Sequence, residues 1–108
     1  MKLGIILQTK ESERVWNAIR LAIAARKARH EVTIFLLGEG VEIEEISDSK
    51  QFDVPTKQRE FVDIGGRLLA CGSCLKSRLK SISTACPVST MTDLLHIVEE
   101  SDKVLVFG

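Results

Sequence analysis

The 108-residue chain has no tyrosine, one tryptophan and four phenylalanines, and its 15 basic residues are cancelled by 15 acidic ones. Without interleaved aromatics there is no stacking platform for single-stranded nucleic acid, and without net charge there is no global field for nucleic acid or an anionic membrane. Its apolar runs are short: residues 32–37 are interrupted by Thr33, against the roughly 20 residues that a spanning helix needs. No transmembrane helix is expected. Behind a single lysine, the apolar run at residues 3–7 is too short for a secretory core. The chain is therefore expected in the cytoplasm, with neither nucleic acid nor membrane as a partner. Phosphate and hydrolase fingerprints are missing too: Gly38-Glu39-Gly40 is a lone G-x-G, with no Walker A pattern, G-x-S-x-G elbow or H-E-x-x-H anywhere. No cofactor is expected.

What is present is an alternation of short apolar runs with longer amphipathic stretches, the pattern of a βαβ chain. Residues 3–7 read as a buried strand. Thr9 or Ser12 is placed to cap a helix carrying Val15, Trp16, Ile19, Ala22 and Ile23 on one face, with Arg26, Lys27, Arg29 and His30 at its end. Residues 32–37 read as a second strand. From 39 to 53 six acidic residues face Lys50 alone, which predicts either a solvated loop with a short helical turn around Val41, Ile43 and Ile46, or a mobile lid. Pro55 and Thr56 open a second helix that Gly65-Gly66 stops. Arg67–Cys71 is a third strand, residues 74–80 a short helix, and residues 84–88 a weak fourth strand. Thr90 and Asp93 form a Thr-x-x-Asp box before a last helix carrying Leu94, Leu95, Ile97 and Val98, and Lys103–Phe107 closes the chain as a fifth strand. The expected architecture is one α/β domain over 1–108, a three-layer α/β/α sandwich around a five-stranded parallel open sheet.

Chemistry gathers after the third strand. Open parallel sheets bind at the carboxyl ends of their strands, and Ala70-Cys71-Gly72-Ser73-Cys74-Leu75-Lys76-Ser77-Arg78 runs there from strand through turn to helix. Between Asp63 and Asp93 there is no acidic residue, while Arg67, Lys76, Arg78 and Lys80 are all positive. Local cations and free helix N–H groups both lower a thiol pKa, and the thiolate is the nucleophilic form. Cys71 and Cys74 are accordingly the candidate nucleophiles, in a turn expected to face solvent. Their backbone neighbours Gly72 and Ser73, and the side chains of Lys76 and Arg78, are expected to stabilise the anion. Cysteine also serves as core filler, the favoured reading for Cys86. A zinc site from Cys71, Cys74, Cys86 and His96 is arithmetically available, but its spacings match no ribbon or finger, so no metal is expected.

These residues resemble the DsrE/DsrF-like family of small sulfur-relay and persulfide-handling proteins. The resemblance rests on the opening strand and helix and on Phe35-Leu36-Leu37-Gly38-Glu39-Gly40-Val41, which makes Gly38 and Gly40 candidate binding residues. It also rests on the cysteine segment, on Ser89-Thr90-Met91-Thr92-Asp93-Leu94 and on the terminal strand. It implies a five-stranded parallel α/β/α fold, oligomers, and a cysteine that carries sulfane sulfur as a persulfide between donor and acceptor proteins or small persulfides. The carrier position falls on Cys71, while Cys74, which has no counterpart in members with one cysteine here, is expected to be a resolving thiol that releases the product by forming a Cys71–Cys74 disulfide. Two other readings remain: dithiol and disulfide cycling by Cys71 and Cys74, as in thioredoxin-like sites, and a non-catalytic subunit or sensor. Two uncovered edge strands also favour a homo-oligomer.

Overall fold

A computed structural model of the chain describes residues 1–78 and 88–108. Five strands, β1 (Lys2–Leu7), β2 (Glu31–Leu36), β3 (Arg67–Cys71), β4 (Val88–Ser89) and β5 (Lys103–Phe107), form one sheet in the order β4-β3-β2-β1-β5. Every pairing is parallel. The connections carry α1 (Ser12–Lys27), a 3-10 segment (Gly38–Glu45), α2 (Val54–Asp63), α3 (Gly72–Ser77) and α4 (Met91–Glu100). The expected α/β sandwich is the fold observed.

Strand alternation gives the sheet two unequal faces. Leu3, Ile5 and Leu7 of β1, Val32, Ile34 and Leu36 of β2, and Leu68 and Ala70 of β3 are buried in one core with Val15, Ile19, Ala22 and Ile23 of α1 and Phe61 of α2. Each large apolar side chain there contributes roughly 1.5–3 kcal/mol. The opposite face meets α4 at Gly4, where a Cβ would stand 2.9 Å from Ser101 Oγ and 3.1 Å from Ile97 Cγ2. Only a glycine lets α4 lie so low.

Local signals set most helix ends. Thr90 Oγ1 accepts from Asp93 N–H at 3.2 Å while Asp93 accepts from Thr90 N–H at 2.9 Å, so the capping box expected for α4 forms. At the end of α2, Gly66 N–H donates to Phe61 O and Gly65 N–H to Val62 O, with Gly65 at φ +94°. That is a Schellman stop. The cap of α1 differs from expectation: Glu11, not Thr9 or Ser12, accepts from the Glu13 and Arg14 N–H groups at 3.2 and 2.9 Å. Thr9 is committed one step earlier, accepting from Glu11 N–H at 3.0 Å.

The acidic stretch holds the expected helical turn, a 3-10 segment over Gly38–Glu45, followed by a loop in which residues 47–51 are exposed. Val41 and Ile43 of its 3-10 segment are buried. Its far end is tied to α1, where Trp16 Nε1 donates to Asp53 at 2.7 Å, the Trp16 ring meets Phe52 edge-on at 5.3 Å, and Arg20 lies 4.1 Å over the indole. The apolar residues between the acids decide its place. Helix α3 begins at Gly72, two residues before the expected start. Its expected end at Lys80, most of the fourth strand and Cys86 lie outside the described residues.

Candidate functional site

The site is built where β2 and β3 end. Cys71 is the last residue of β3, in register with Ser89 of β4, and it is also the N-cap of α3. Cys74 is then the third helical residue, and cap and third residue face each other in the geometry that capping boxes use. C-x-x-C spacing at a helix start therefore brings two sulfurs together. The Cys74 side chain stands close enough to perturb the Cys71 thiol.

The two sulfurs live in different environments. Cys71 is 2% exposed, whereas Cys74 is half-buried at the rim of the core. Burial pushes the Cys71 thiol above its ordinary range, and the Cys74 side chain pushes the same way. The Cys74 and Ser73 N–H groups pull toward the thiolate without prevailing, and neither closes a capping hydrogen bond. The expectation of a solvent-facing, ionised Cys71 is thus corrected: a side chain at the end of a buried strand points into the core, where desolvation opposes charge. Cys74 has a donor of its own. The main-chain N–H of Gly38, at the start of the 3-10 segment, reaches Cys74 Sγ at 3.3 Å.

The cations expected around the sulfurs are placed differently. Arg78 Nε pairs with Glu42 Oε2 at 3.0 Å, and its Nη1 donates to Cys74 O and Ser77 Oγ, each at 3.3 Å. Glu42 also meets Lys10 Nζ at 3.6 Å. Arg78 is a strut that ties α3 to the 3-10 segment, its charge answered by Glu42. Lys76 and Ser73 are exposed. Gly72 is needed for packing, because a Cβ there would stand 2.9 Å from Val88 Cγ1. Gly40 is needed for the same reason, since its Cβ would drive into the Leu7 carbonyl oxygen. Of the two glycines after β2, only Gly38 touches a sulfur in the described contacts.

Sequence reading missed Glu42 and Lys10. Glu42 lies 36 residues from Arg78, so a count of charges along the local segment could not include it. The one available sign was its position between two apolar residues, Val41 and Ile43, both of which are buried. Among the described residues, no group of three or more His, Cys, Asp or Glu side chains gathers to hold a metal ion. His96 lies exposed on α4, and Cys86 is outside the described residues.

Three comparisons place the chain among known proteins. Over 99% of its length, and all of the relative's, it is 34% identical to Uncharacterized protein MJ0989 of Methanocaldococcus jannaschii. It is 33% identical to Uncharacterized protein MK0008 of Methanopyrus kandleri, covering 88% of this chain and 83% of that one. The crystal structure of the ychN protein from E. coli superposes with a TM-score of 0.83 at 21% identity, covering 99% of this chain and 100% of the other. That likeness is one of fold. The model of the DsrE/DsrF-like family matches residues 1–107, and the chain belongs to that family.

Proposed function

We propose that this protein is a sulfane-sulfur carrier in which Cys71 and Cys74 together accept, hold and hand on one sulfur atom. In the loading step a donor persulfide R–S–SH meets a cysteine thiol. The donor S–S bond breaks, a new S–S bond forms on the cysteine, and R–SH leaves with one proton. Release to an acceptor thiol is the same exchange run outward, so no external oxidant or reductant is required. Membership of a family of the sulfur-relay type supports this reading. The observation that carries it is the meeting of two thiols, one half-buried under a main-chain N–H and one buried, at the carboxyl edge of a parallel sheet. Intact-mass measurement after incubation with inorganic polysulfide tests it. A gain of one sulfur, reversed by dithiothreitol, is expected. No gain, or an equal gain in a Cys71→Ser, Cys74→Ser double variant, rejects the proposal.

The same contact between thiols favours a second reading, dithiol and disulfide cycling. The all-parallel sheet weighs against it, because thioredoxin-type sites sit on sheets with antiparallel strands. Catalytic reduction of insulin decides between the two: a disulfide reductase turns over, whereas a carrier does not. We further propose that the carrier works as a homo-oligomer. Support comes from the exposed apolar side chains of α4 and of the edge strand β5, Met91, Leu95, Val98 and Val106 among them.

A further inference from the structure

We propose that sulfur reaches Cys71 only by way of Cys74, so that Cys74 is the receiving thiol and Cys71 the sheltered one. This rests on the carrier reading above and adds an order to it. Access is the first argument. A donor cannot bring its sulfur in line with a side chain that is 2% exposed, whereas half-buried Cys74 stands at the rim, three residues on in the first turn of the same helix. Electrostatics is the second. An attacking sulfur must carry negative charge, and the Gly38 N–H aimed at Cys74 Sγ from 3.3 Å is a preplaced donor to that charge. At Cys71 the Ser73 and Cys74 N–H groups also favour charge, but burial of the side chain outweighs them.

Rigidity is the third argument. The Gly38 contact is useful only if α3 and the 3-10 segment hold their spacing. Arg78 holds it by gripping Glu42 on one side and the Cys74 carbonyl on the other. Glu42 and Arg78 are therefore positioning residues, acting on the reaction through Cys74.

The order gives two balanced exchanges. In the first, the Cys74 thiolate attacks the outer sulfur of R–S–SH, Cys74–S–SH forms and R–S⁻ departs. In the second, Cys71–SH and Cys74–S–SH give Cys71–S–SH and Cys74–SH: the outer sulfur forms a bond to Cys71 Sγ, its bond to Cys74 Sγ breaks, and the Cys71 proton passes to the Cys74 sulfur. Burial disfavours charge on Cys71 and so slows this second step, and the same burial shelters the loaded sulfur from water-borne thiols.

Limiting inorganic polysulfide, rapid quenching by alkylation and mass mapping of the two cysteines test the order. The extra sulfur is expected on Cys74 first and on Cys71 later. Cys74→Ser and Cys74→Ala should both slow loading of Cys71 roughly tenfold or more, because each leaves local opening as its remaining route. Cys71→Ser should trap the sulfur on Cys74, because the second exchange has lost its acceptor. Wild-type rates at Cys71 in both Cys74 variants, or labelling of Cys71 first, would overturn the order while leaving the carrier reading intact. A Cys71–Cys74 disulfide with release of hydrogen sulfide would overturn the second exchange. A wild-type protein that gains no sulfur at all removes the carrier reading, and the order with it.

Discussion

At Cys71 the strand and the helix make opposite demands on one sulfur atom. The helix start offers N–H groups that favour charge, but the strand turns the side chain into the core, where charge is costly, and burial wins. A folded-state pKa raised in this way leaves little thiolate at neutral pH and delays ionisation until well into the alkaline range. Alkylation with mass mapping across pH should therefore modify Cys74 before Cys71, with the Cys71 midpoint above that of an ordinary cysteine. Faster labelling of Cys71 at neutral pH would contradict the environment described here. The two glycines after β2 allow a second measurement. Gly38 adopts φ +57° with open space around its Cα, so Gly38→Ala costs only the left-handed conformation, about 1–2 kcal/mol. Gly40→Ala must displace the Leu7 carbonyl or the 3-10 segment, and should lower stability in urea by more than Gly38→Ala does. Equal losses would mean that the segment moves freely. The cysteine pair was legible in the sequence because its spacing is local. The burial of Cys71 was not, because a tight turn and a strand end make contrary statements about exposure, and only the sheet decides between them.

Among the elements, those with local punctuation were the most legible. The Thr90 and Asp93 box and the Gly65-Gly66 stop each depend on residues at most five apart, so their chemistry is complete in a short window. Thr90→Ala removes the side-chain acceptor for Asp93 N–H and should cost about 1 kcal/mol of stability, while Thr90→Ser should retain most of it. A null effect of the alanine variant in thermal unfolding would show that α4 does not depend on its cap. The helical turn of the acidic stretch was legible from its spaced apolar residues, but its tether to α1 was not, because Trp16 and Asp53 lie 37 residues apart. Its tether to α1 titrates. The indole N–H beside Asp53 holds that carboxyl below its usual range. A depressed folded-state pKa stabilises above the unfolded value and is lost as pH falls through the folded one. Below the ordinary carboxylate range, Trp16 should consequently lose its partner, and the emission of this single tryptophan should shift. Asp53→Asn should remove that acid transition and leave any others in place. An unchanged transition in the variant would assign it to another group.

For the molecule as a whole, the inequality of the two sheet faces is the governing fact. One face is sealed by α1 and α2, while the other carries α4, in which no residue is fully buried. On α4 the apolar residues Met91, Leu95 and Val98 recur at four- and three-residue spacing with 58%, 54% and 44% exposure, and Val106 on the edge strand β5 is 63% exposed. Single exposed apolar residues are ordinary, but a line of them along a helix beside an unpaired strand edge is costly to leave in water. The parallel sheet and its two edges could be anticipated from the alternation of strands and helices, but not the order β4-β3-β2-β1-β5, because a crossover can add its strand on either side. Which face stays open could not, because it depends on α4 carrying apolar residues on two sides, of which Leu94 and Ile97 serve the core. A second copy of the chain is the partner that every solution of this protein supplies. Sedimentation equilibrium should therefore report a multiple of the single-chain mass. Leu95→Glu together with Val98→Glu should shift it toward one chain without loss of helical circular dichroism, since neither side chain contributes to the buried core. A wild-type protein that sediments as one chain would remove the oligomer proposal. A doubly charged variant that still associates would move the interface from α4 to the open edge of β5, where Val106→Lys is the substitution to test next.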